Sequence, residues 1–180
     1  MKIVIALLLA INLYADIKQN MFDLYQNEKY TNVCNIGFNH FRANNKDEEF
    51  VSLYAFACLK SDFIDRLAVP IALLKSSKEA RSNAAYFSVI LMQKKLLYHA
   101  LVDNYNLTSL KLPTTEYILS KVFDLYSKLK PHEPRAFYLF EDDKDKKLTY
   151  KLYLSTENNI TKMIIEEFYD TIKIKQHIYW

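Results

Sequence analysis

Two cysteines are the residues of this chain with the clearest covalent chemistry. Cys34 and Cys58 are its only cysteines, and two thiols in an oxidising compartment form a disulfide when their Cα atoms approach within about 7 Å. Residues at the same height in an antiparallel helix pair are equidistant in sequence from the loop that connects the helices. The midpoint between residues 34 and 58 is Lys46, which lies in a polar stretch at residues 44–47. We therefore predict a disulfide across a helical hairpin. Two buried, reduced thiols are the alternative.

Histidines and one acidic turn are the other groups suited to catalysis or metal binding. A hydrolytic site requires a Ser or Cys nucleophile beside a histidine that an acid orients, and a metal site requires clustered ligands. The histidines lie in unrelated sequence contexts: His40, His99, His132 and His177. The acidic turn lacks the ligand spacing and the glycine of a calcium loop; its acids are Asp142, Asp143 and Asp145. We predict no enzyme activity, no metal and no cofactor.

A single glycine, Gly37, limits the ligand sites that the chain can form. Walker loops, dinucleotide-binding fingerprints and nucleophile elbows all depend on glycines where the backbone approaches a ligand or turns tightly. The 24 Lys and Arg residues are interleaved with 21 Asp and Glu residues, for a net charge of +3. Nucleic-acid-binding surfaces instead cluster basic residues on one face, so we predict no nucleic-acid partner.

Asn159 lies in the extended acceptor pattern of bacterial N-glycosylation. Residues 157–161, with the sequence ENNIT, place Glu157 two residues before this asparagine and Thr161 two residues after it. The segment is a predicted exposed turn, where a glycan can be carried. A second asparagine, Asn106, has only the shorter pattern. Asn159 is therefore the candidate glycosylation site.

The N-terminus has the pattern of a cleavable secretory signal. Lys2 supplies a positive start, residues 3–13 are apolar except for Asn12, and Ala15 places a small residue before Asp16. The apolar stretch is shorter than the roughly 20 residues that span a bilayer, so a permanent anchor is the weaker alternative. Abundant Lys, Asn and Ile beside scarce Gly, Pro and Arg are typical of an AT-rich bacterial gene. We predict cleavage of residues 1–15, a periplasmic mature chain and no stable membrane insertion.

Apolar residues recur at spacings of three and four through residues 17–130, which predicts five to seven one-sided helices. Cys34 shares the apolar side of one predicted helix with Phe38 and Phe41, and this side is expected to face inward. A search for repeats aligns three segments at a period of 33 residues: 24–34, 57–67 and 90–100. Each contains a polar triplet, which predicts three turns, at residues 27–29, 60–62 and 93–95.

The first segment, Leu24-Tyr25-Gln26-Asn27-Glu28-Lys29-Tyr30, resembles the turn between the two helices of a tetratricopeptide repeat. That family has an aromatic residue or Leu, a Gly, two further residues and then Tyr; Asn27 stands at the Gly position and tolerates left-handed backbone. The resemblance covers residues 17–110. It implies a curved stack of helical hairpins whose concave face binds a peptide, a helix or a partner domain. An irregular helical bundle is the alternative.

The periodicity becomes alternating after Pro131 and Pro134, because proline ends helices. Alternation in residues 148–155 and 172–180 predicts half-buried strands, and residues 136–141 predict another. Ile160–Tyr169 fits a helix or a strand, and the short turns beside it favour a strand.

The predicted fold class is α+β, mainly α. Residues 16–130 are expected to form a helical domain of stacked antiparallel hairpins. Residues 131–180 are expected to form a small antiparallel β-meander of three to four strands, packed on the last helices because such a sheet is marginal alone.

Aromatic residues are unusually frequent, with 14 Tyr and 11 Phe. Most of them lie at predicted helix-packing positions, but Tyr is also frequent on binding surfaces. Four tyrosines on predicted polar faces are candidates for an interaction surface: Tyr98, Tyr105, Tyr138 and Tyr153.

These patterns favour an exported, non-enzymatic helical-repeat adaptor that binds other envelope proteins, in a machine such as a flagellar motor or a secretion apparatus. A periplasmic carrier or chaperone, whose sheet and last helices enclose an apolar ligand such as lipid, is the alternative. An envelope hydrolase is a third. A continuous aromatic groove would favour the adaptor, and a closed apolar cavity would favour the carrier.

Overall fold

Helices precede strands along the described chain. The computed structural model describes residues 17–130 and 133–180; the expected signal, Asp16, Pro131 and His132 lie outside them. The helices are α1 (residues 17–26), α2 (Tyr30–Asn44), α3 (Glu48–Lys60), a 3₁₀ helix (Ile64–Leu67), α4 (Ala68–Leu73), α5 (Lys78–Asp103) and α6 (Ile118–Ser127). The strands are β1 (Tyr138–Glu141), β2 (Leu148–Glu157), β3 (Ile160–Tyr169) and β4 (Ile172–Tyr179). The mixed α+β class with a C-terminal antiparallel sheet is confirmed.

Helices α2 and α3 form an antiparallel hairpin with a very close contact. Cys34 of α2 meets Cys58 of α3, and Gly37 meets Tyr54, so the paired positions run in opposite directions. A Cβ atom added at Gly37 would lie 2.8 Å from both Cβ and Cγ of Tyr54. The absence of a side chain therefore lets the two helices approach.

A polar side chain caps the start of α3. Asp47 caps α3, because its Oδ1 accepts hydrogen bonds from the first-turn N–H groups of Glu49 and Phe50 at 3.0 and 3.1 Å. Such a cap satisfies backbone donors that the helix itself leaves unpaired. The predicted polar turn at residues 44–47 thus separates α2 from α3.

Two turns in the helical region have the same geometry. Glu28 follows α1 and Asp62 follows α3, both with left-handed backbone, at φ values of 58° and 63°. The next residue in each turn donates its N–H to a carbonyl five residues earlier, as in a Schellman motif. These hydrogen bonds join Lys29 to Leu24 and Phe63 to Cys58, both at 2.9 Å. Positions 28 and 62 are spaced by 34, so the period of 33 predicted for these turns is wrong by one residue.

The third predicted turn is absent from the described chain. Residues 93–95 lie inside α5, which runs without a break from Lys78 to Asp103. Gln93 and Lys94 are buried, at 0% and 3% exposure. Lys94 Nζ donates to the main-chain oxygen of Trp180 at 2.6 Å, and Gln93 Nε2 donates to the carbonyl of Pro113 at 3.0 Å. Tertiary partners therefore keep this polar pair inside a helix.

The sheet is an antiparallel meander in the order β1-β2-β3-β4. Ile160–Tyr169 is strand β3, as the short turns predicted. Residues that alternate along the strands form a buried inner face, each at 0–1% exposure: Tyr150, Leu152, Met163, Ile165 and Tyr179. Four strands are present, at the upper end of the predicted number.

The chain divides into two compact units between Ala85 and Tyr86, inside α5. The second unit contains the remainder of α5, α6 and the sheet. In it, Tyr98 Oη of α5 donates to the carbonyl of Thr161 at 2.9 Å, and the Tyr126 ring of α6 lies edge-on to Tyr138 at 5.0 Å. The predicted boundary at residue 130 separates helices from strands, whereas the compact units divide earlier.

The helices of the described residues are not suited to span a bilayer. None of them combines sufficient length with sufficient apolar character.

Candidate functional site

An open groove on the first unit is lined by α2, α3 and the segment from the 3₁₀ helix to α4. Its volume is about 640 Å³, within the range of about 300–1,000 Å³ that is typical of ligand pockets. The lining residues are Phe38, Asn39, Phe41, Arg42, Tyr54, Asp65, Arg66 and Val69. Apolar surface dominates, and three of the lining residues are charged.

Phe38 and Val69 expose large apolar side chains at this groove. Phe38 is 58% exposed and Val69 is 53% exposed. The expectation that Phe38 shares the inward face of Cys34 is therefore wrong. α3 covers the stripe through Cys34 and Gly37, and Phe38 lies at its edge, because the apolar surface of α2 is wider than the face that α3 covers.

Arg66 joins the two sides of the groove. Its guanidinium carbon lies 4.8 Å from the ring centroid of Phe38 and 4.6 Å from that of Phe63. Its Nη1 donates to Asn35 Oδ1 at 3.0 Å and contacts Cys34 Sγ at 3.2 Å. A guanidinium held between aromatic faces is favoured electrostatically, so Arg66 holds the 3₁₀ helix against α2.

The Cys34–Cys58 disulfide lies beside the groove. The two Cα atoms are 4.8 Å apart, and both residues are fully buried. The bond joins α2 to α3 one turn from the contact between Gly37 and Tyr54. The helices that form two walls of the groove are thus covalently connected.

The four tyrosines predicted to form an interaction surface have different environments. Tyr138 is 6% exposed and packs on Tyr126, so it is a core residue. Tyr98 is half-buried and its hydroxyl is bonded to β3. Tyr105 is 44% exposed and its ring stacks on His99 at 4.6 Å. Tyr153 is half-buried on the outer face of the sheet, with Lys151 Nζ 5.1 Å from its ring centroid.

The groove residues were not identified from the sequence. Phe38, Arg66 and Val69 are distant in sequence and come together only when the 3₁₀ helix and α4 fold beside α2. The one available signal was the excess of apolar residues on α2, which exceeds the needs of a single packed face.

A buried polar cluster lies on the inner face of the sheet. His177 Nε2 and Glu167 Oε1 are 2.8 Å apart, and the ring of His177 stacks on Tyr179. The hydroxyl groups of Tyr179 and Tyr117 are 3.2 Å apart. His177 is only 2% exposed, so a substrate cannot reach its ring, and the pair serves the packing of the sheet.

Asp142 is a buried acid whose charge is stabilised by neighbours. Burial raises the pKa of this carboxyl, but hydrogen bonds from Tyr150 Oη and from the N–H groups of Lys144 and Asp145 outweigh burial and lower it. Burial and the adjacent carboxylate raise the pKa of the Tyr150 phenol. The acidic turn of the sequence is therefore a hydrogen-bonded hairpin turn with one buried acid.

Metal ligands do not cluster in the part of the chain that the structure describes. No group of three or more His, Cys, Asp or Glu side chains there has an arrangement suited to a metal ion. The groove of the first unit, with its exposed apolar lining, is the candidate site.

No protein-family model, curated protein or solved structure matches this chain.

Proposed function

We propose that this protein is an exported, non-enzymatic adaptor whose helical unit binds a segment of another envelope protein in the groove. The observation that carries the proposal is the exposure of Phe38 and Val69 beside Phe41 and Tyr54. Exposed apolar patches on soluble proteins mark binding surfaces, and aromatic and Arg side chains contribute most of the energy at such surfaces.

The occupant of the groove is a segment with apolar side chains and at least one carboxylate. The lining of the groove includes the guanidinium groups of Arg42 and Arg66 and the carboxylate of Asp65, so its charge is net positive. Arg42 is exposed, so a partner carboxylate can reach it. The apolar side chains of the segment fill the space between Phe38 and Val69.

Export is supported by the signal pattern of residues 1–15 and by the Cys34–Cys58 disulfide, because disulfides persist in oxidising compartments.

We further propose a tetratricopeptide-like architecture for the tandem hairpins. Support comes from the two Schellman turns at positions 28 and 62, because a spacing of 34 residues equals the length of that repeat. A large envelope machine, such as a flagellar motor or a secretion apparatus, is the proposed setting.

Photo-crosslinking in the native envelope tests this function. A photoreactive amino acid replaces Asn39 in the groove, and a matched chain carries it at Phe22, which is 48% exposed on α1 outside the groove. We expect a crosslink to one protein from position 39 only, within a segment that contains apolar and acidic residues. No crosslink at position 39, or equal crosslinks at both positions, would contradict the proposal.

Substitutions in the groove give the second arm of the test. With the crosslinked segment as a synthetic peptide, Phe38→Ser is expected to weaken binding about thirtyfold or more, since aromatic anchors contribute about 2 kcal/mol or more. Arg42→Glu is expected to weaken it a few-fold, because an exposed ion pair contributes up to about 1 kcal/mol. Phe22→Ser is the matched control. Unchanged binding by Phe38→Ser contradicts the proposal.

The carrier alternative predicts that the purified protein contains lipid. A carrier requires an enclosed apolar cavity between the sheet and the helices of the second unit. The inner face there is filled by side chains such as Tyr150 and Leu152, both fully buried. Stoichiometric lipid extracted from the purified protein, without a crosslinked partner, would favour the carrier over the adaptor.

A further inference from the structure

The hairpin that joins β2 to β3 presents an asparagine at its tip. Asn158 and Asn159 are the two connecting residues, with left-handed backbone at φ values of 50° and 61°. Glu157 and Ile160 form the last pair of the ladder. Two successive left-handed residues are typical of the type I′ turn that closes a two-residue hairpin. The side chains at the tip, residues 156–160, are all exposed.

The residues around Asn159 match the extended acceptor pattern at both of its outer positions. Glu157 is the acid two residues before the asparagine, and Thr161 is the hydroxyl residue two residues after it. The shorter pattern at Asn106 differs in its surroundings. Asn106 Oδ1 accepts hydrogen bonds from Thr108 N and Oγ1 at 2.9 and 2.7 Å, and Leu107 is buried.

We infer that Asn159 is an N-glycosylation site of the exported protein, a conclusion that rests on the export part of the proposed function. The donor is an oligosaccharide linked to a polyprenyl diphosphate, and the catalyst is a bacterial oligosaccharyltransferase. A bond forms between Asn159 Nδ2 and the anomeric carbon of the sugar. The bond from that carbon to the diphosphate oxygen breaks, the lipid diphosphate leaves with the electron pair, and the amide nitrogen loses one proton.

The hairpin tip can open to admit the transferase. Three contacts close it: the Thr156 and Thr161 hydroxyl groups at 3.0 Å, Lys162 Nζ and Glu157 Oε2 at 3.0 Å, and the Tyr98 hydroxyl on the Thr161 carbonyl at 2.9 Å. Because the side chains of residues 156–160 are exposed, opening the last pairs removes no core packing. The ends of a ladder open at the lowest free-energy cost.

A glycan on Asn159 is compatible with the folded sheet. The tip extends beyond the last paired residues, and Asn159 is exposed. The glycan therefore displaces no packed side chain, and the glycosylated chain keeps the same fold.

Intact-mass measurement in a bacterial host that carries the oligosaccharyltransferase and its donor tests the site. The full chain is expressed with residues 1–15, and in parallel with those residues replaced by an established secretory signal. We expect a mass increase of one oligosaccharide, located on the peptide that contains Asn159. If only the replaced signal gives export, the export proposal fails while the glycosylation test stands. An unmodified Asn159 peptide in exported protein overturns the inference.

Matched variants in the same turn separate a specific acceptor from a folding effect. Asn159→Gly and Asn158→Gly both keep the left-handed backbone that the turn requires, because glycine adopts it without strain. We expect the mass increase to disappear in Asn159→Gly and to persist in Asn158→Gly. Glu157→Gln and Thr161→Ala should also abolish it, whereas Thr161→Ser and Asn106→Gln should retain it. Persistence of the mass increase in Asn159→Gly overturns the assignment.

Discussion

At the residue scale, Gly37 shows how a sequence observation acquires a different meaning in the fold. The single glycine of the chain excludes several glycine-dependent ligand loops, but it also permits the close contact between α2 and α3. Its backbone faces the Cβ and Cγ atoms of Tyr54, which cannot move without shifting α3. The glycine is therefore a packing residue.

Gly37→Ala is expected to lower the free energy of unfolding by about 1–3 kcal/mol, the range for overpacked cores. Helix propensity alone predicts the opposite sign, because Ala is favoured over Gly by about 1 kcal/mol inside a helix. Urea denaturation of the oxidised protein measures the difference. Asn32→Ala, at an exposed position of α2, should change stability by less than about 0.5 kcal/mol. A stabilised Gly37→Ala protein would falsify the close-contact explanation.

Glu48 of α3 is a carboxylate bound by several backbone N–H groups. Its carboxylate accepts hydrogen bonds from the N–H groups of Lys75, Ser76 and Ser77 at 3.0, 2.7 and 3.0 Å. The Ser76 N–H, with those of Ser77 and Lys75, lowers the pKa of Glu48 to about 2, from an ordinary value of 4.5. Because the native pKa is the lower one, ionised Glu48 stabilises the fold above about pH 4.5, and this stabilisation is lost as the pH falls towards 2.

We predict that Glu48→Gln destabilises the protein at pH 7 and that the difference from the natural chain shrinks between pH 4.5 and 2. Urea denaturation across that pH range measures it. Glu49→Gln is the matched control, since the Glu49 side chain is 85% exposed and its carboxylate bonds Lys18. Equal effects of the two substitutions at every pH would contradict the assigned role of Glu48.

At the element scale, the α2–α3 hairpin is the covalently closed part of the fold. The disulfide closes a chain segment of 24 residues and joins two fully buried positions. In the chain-entropy account, a bond that closes such a loop stabilises the native state by about 3 kcal/mol, because it restricts the unfolded chain.

Reduction, or replacement of both Cys34 and Cys58 by Ala, is therefore expected to lower the free energy of unfolding by about 3 kcal/mol. Thermal or urea unfolding of oxidised and reduced protein measures this loss. Thiol labelling of the denatured, non-reduced protein should detect no free thiol. Labelling of two thiols in protein purified from the periplasm would show that the bond does not form there.

Helix α5 illustrates why an element can differ from its local pattern. Residues 93–95 are polar, which predicted a turn, yet Gln93 and Lys94 are buried within a continuous helix. Their polar groups bond to Pro113 and Trp180, which lie far along the chain. Helix propensity favours Gln and Lys, so the helix continues where distant main-chain oxygens accept hydrogen bonds from Gln93 Nε2 and Lys94 Nζ.

At the scale of the whole molecule, export determines which of the proposed roles are available. Residues 1–15 have the signal pattern, and a disulfide such as Cys34–Cys58 persists in an oxidising compartment. We predict that the mature protein begins at Asp16. Mass spectrometry of protein from the native envelope should give the mass of residues 16–180, with the disulfide and any glycan included.

A matched pair of leader variants tests that prediction. Ala15→Phe places a bulky residue at the cleavage position and is expected to leave the precursor uncleaved, whereas Ala10→Phe, inside the apolar stretch, should still be processed. Protein that retains Met1 in the envelope fraction would show that residues 1–15 act as an anchor.

The sequence alone determined the features that depend on local interactions. Alternation and helical spacing are local, so the mixed α+β class followed from residue order. The pattern of Ile160–Tyr169 fitted a helix or a strand, and only the short turns beside it favoured the strand that the structure has. The equal height of Cys34 and Cys58 followed from the position of the polar turn at residues 44–47, because height in a hairpin depends only on distance from its loop. The rotation of the two helices, which brings the sulfur atoms together, depends on their packing.

Only the tertiary structure decided which apolar side chains are covered. Phe38 remains exposed and Tyr138 becomes buried, although both belong to segments whose secondary structure was predictable. The burial of a side chain depends on which distant element packs against its face of the helix or strand. That packing depends on the contacts of the whole unit together. The groove between α2 and the 3₁₀ helix therefore exists only in the folded chain.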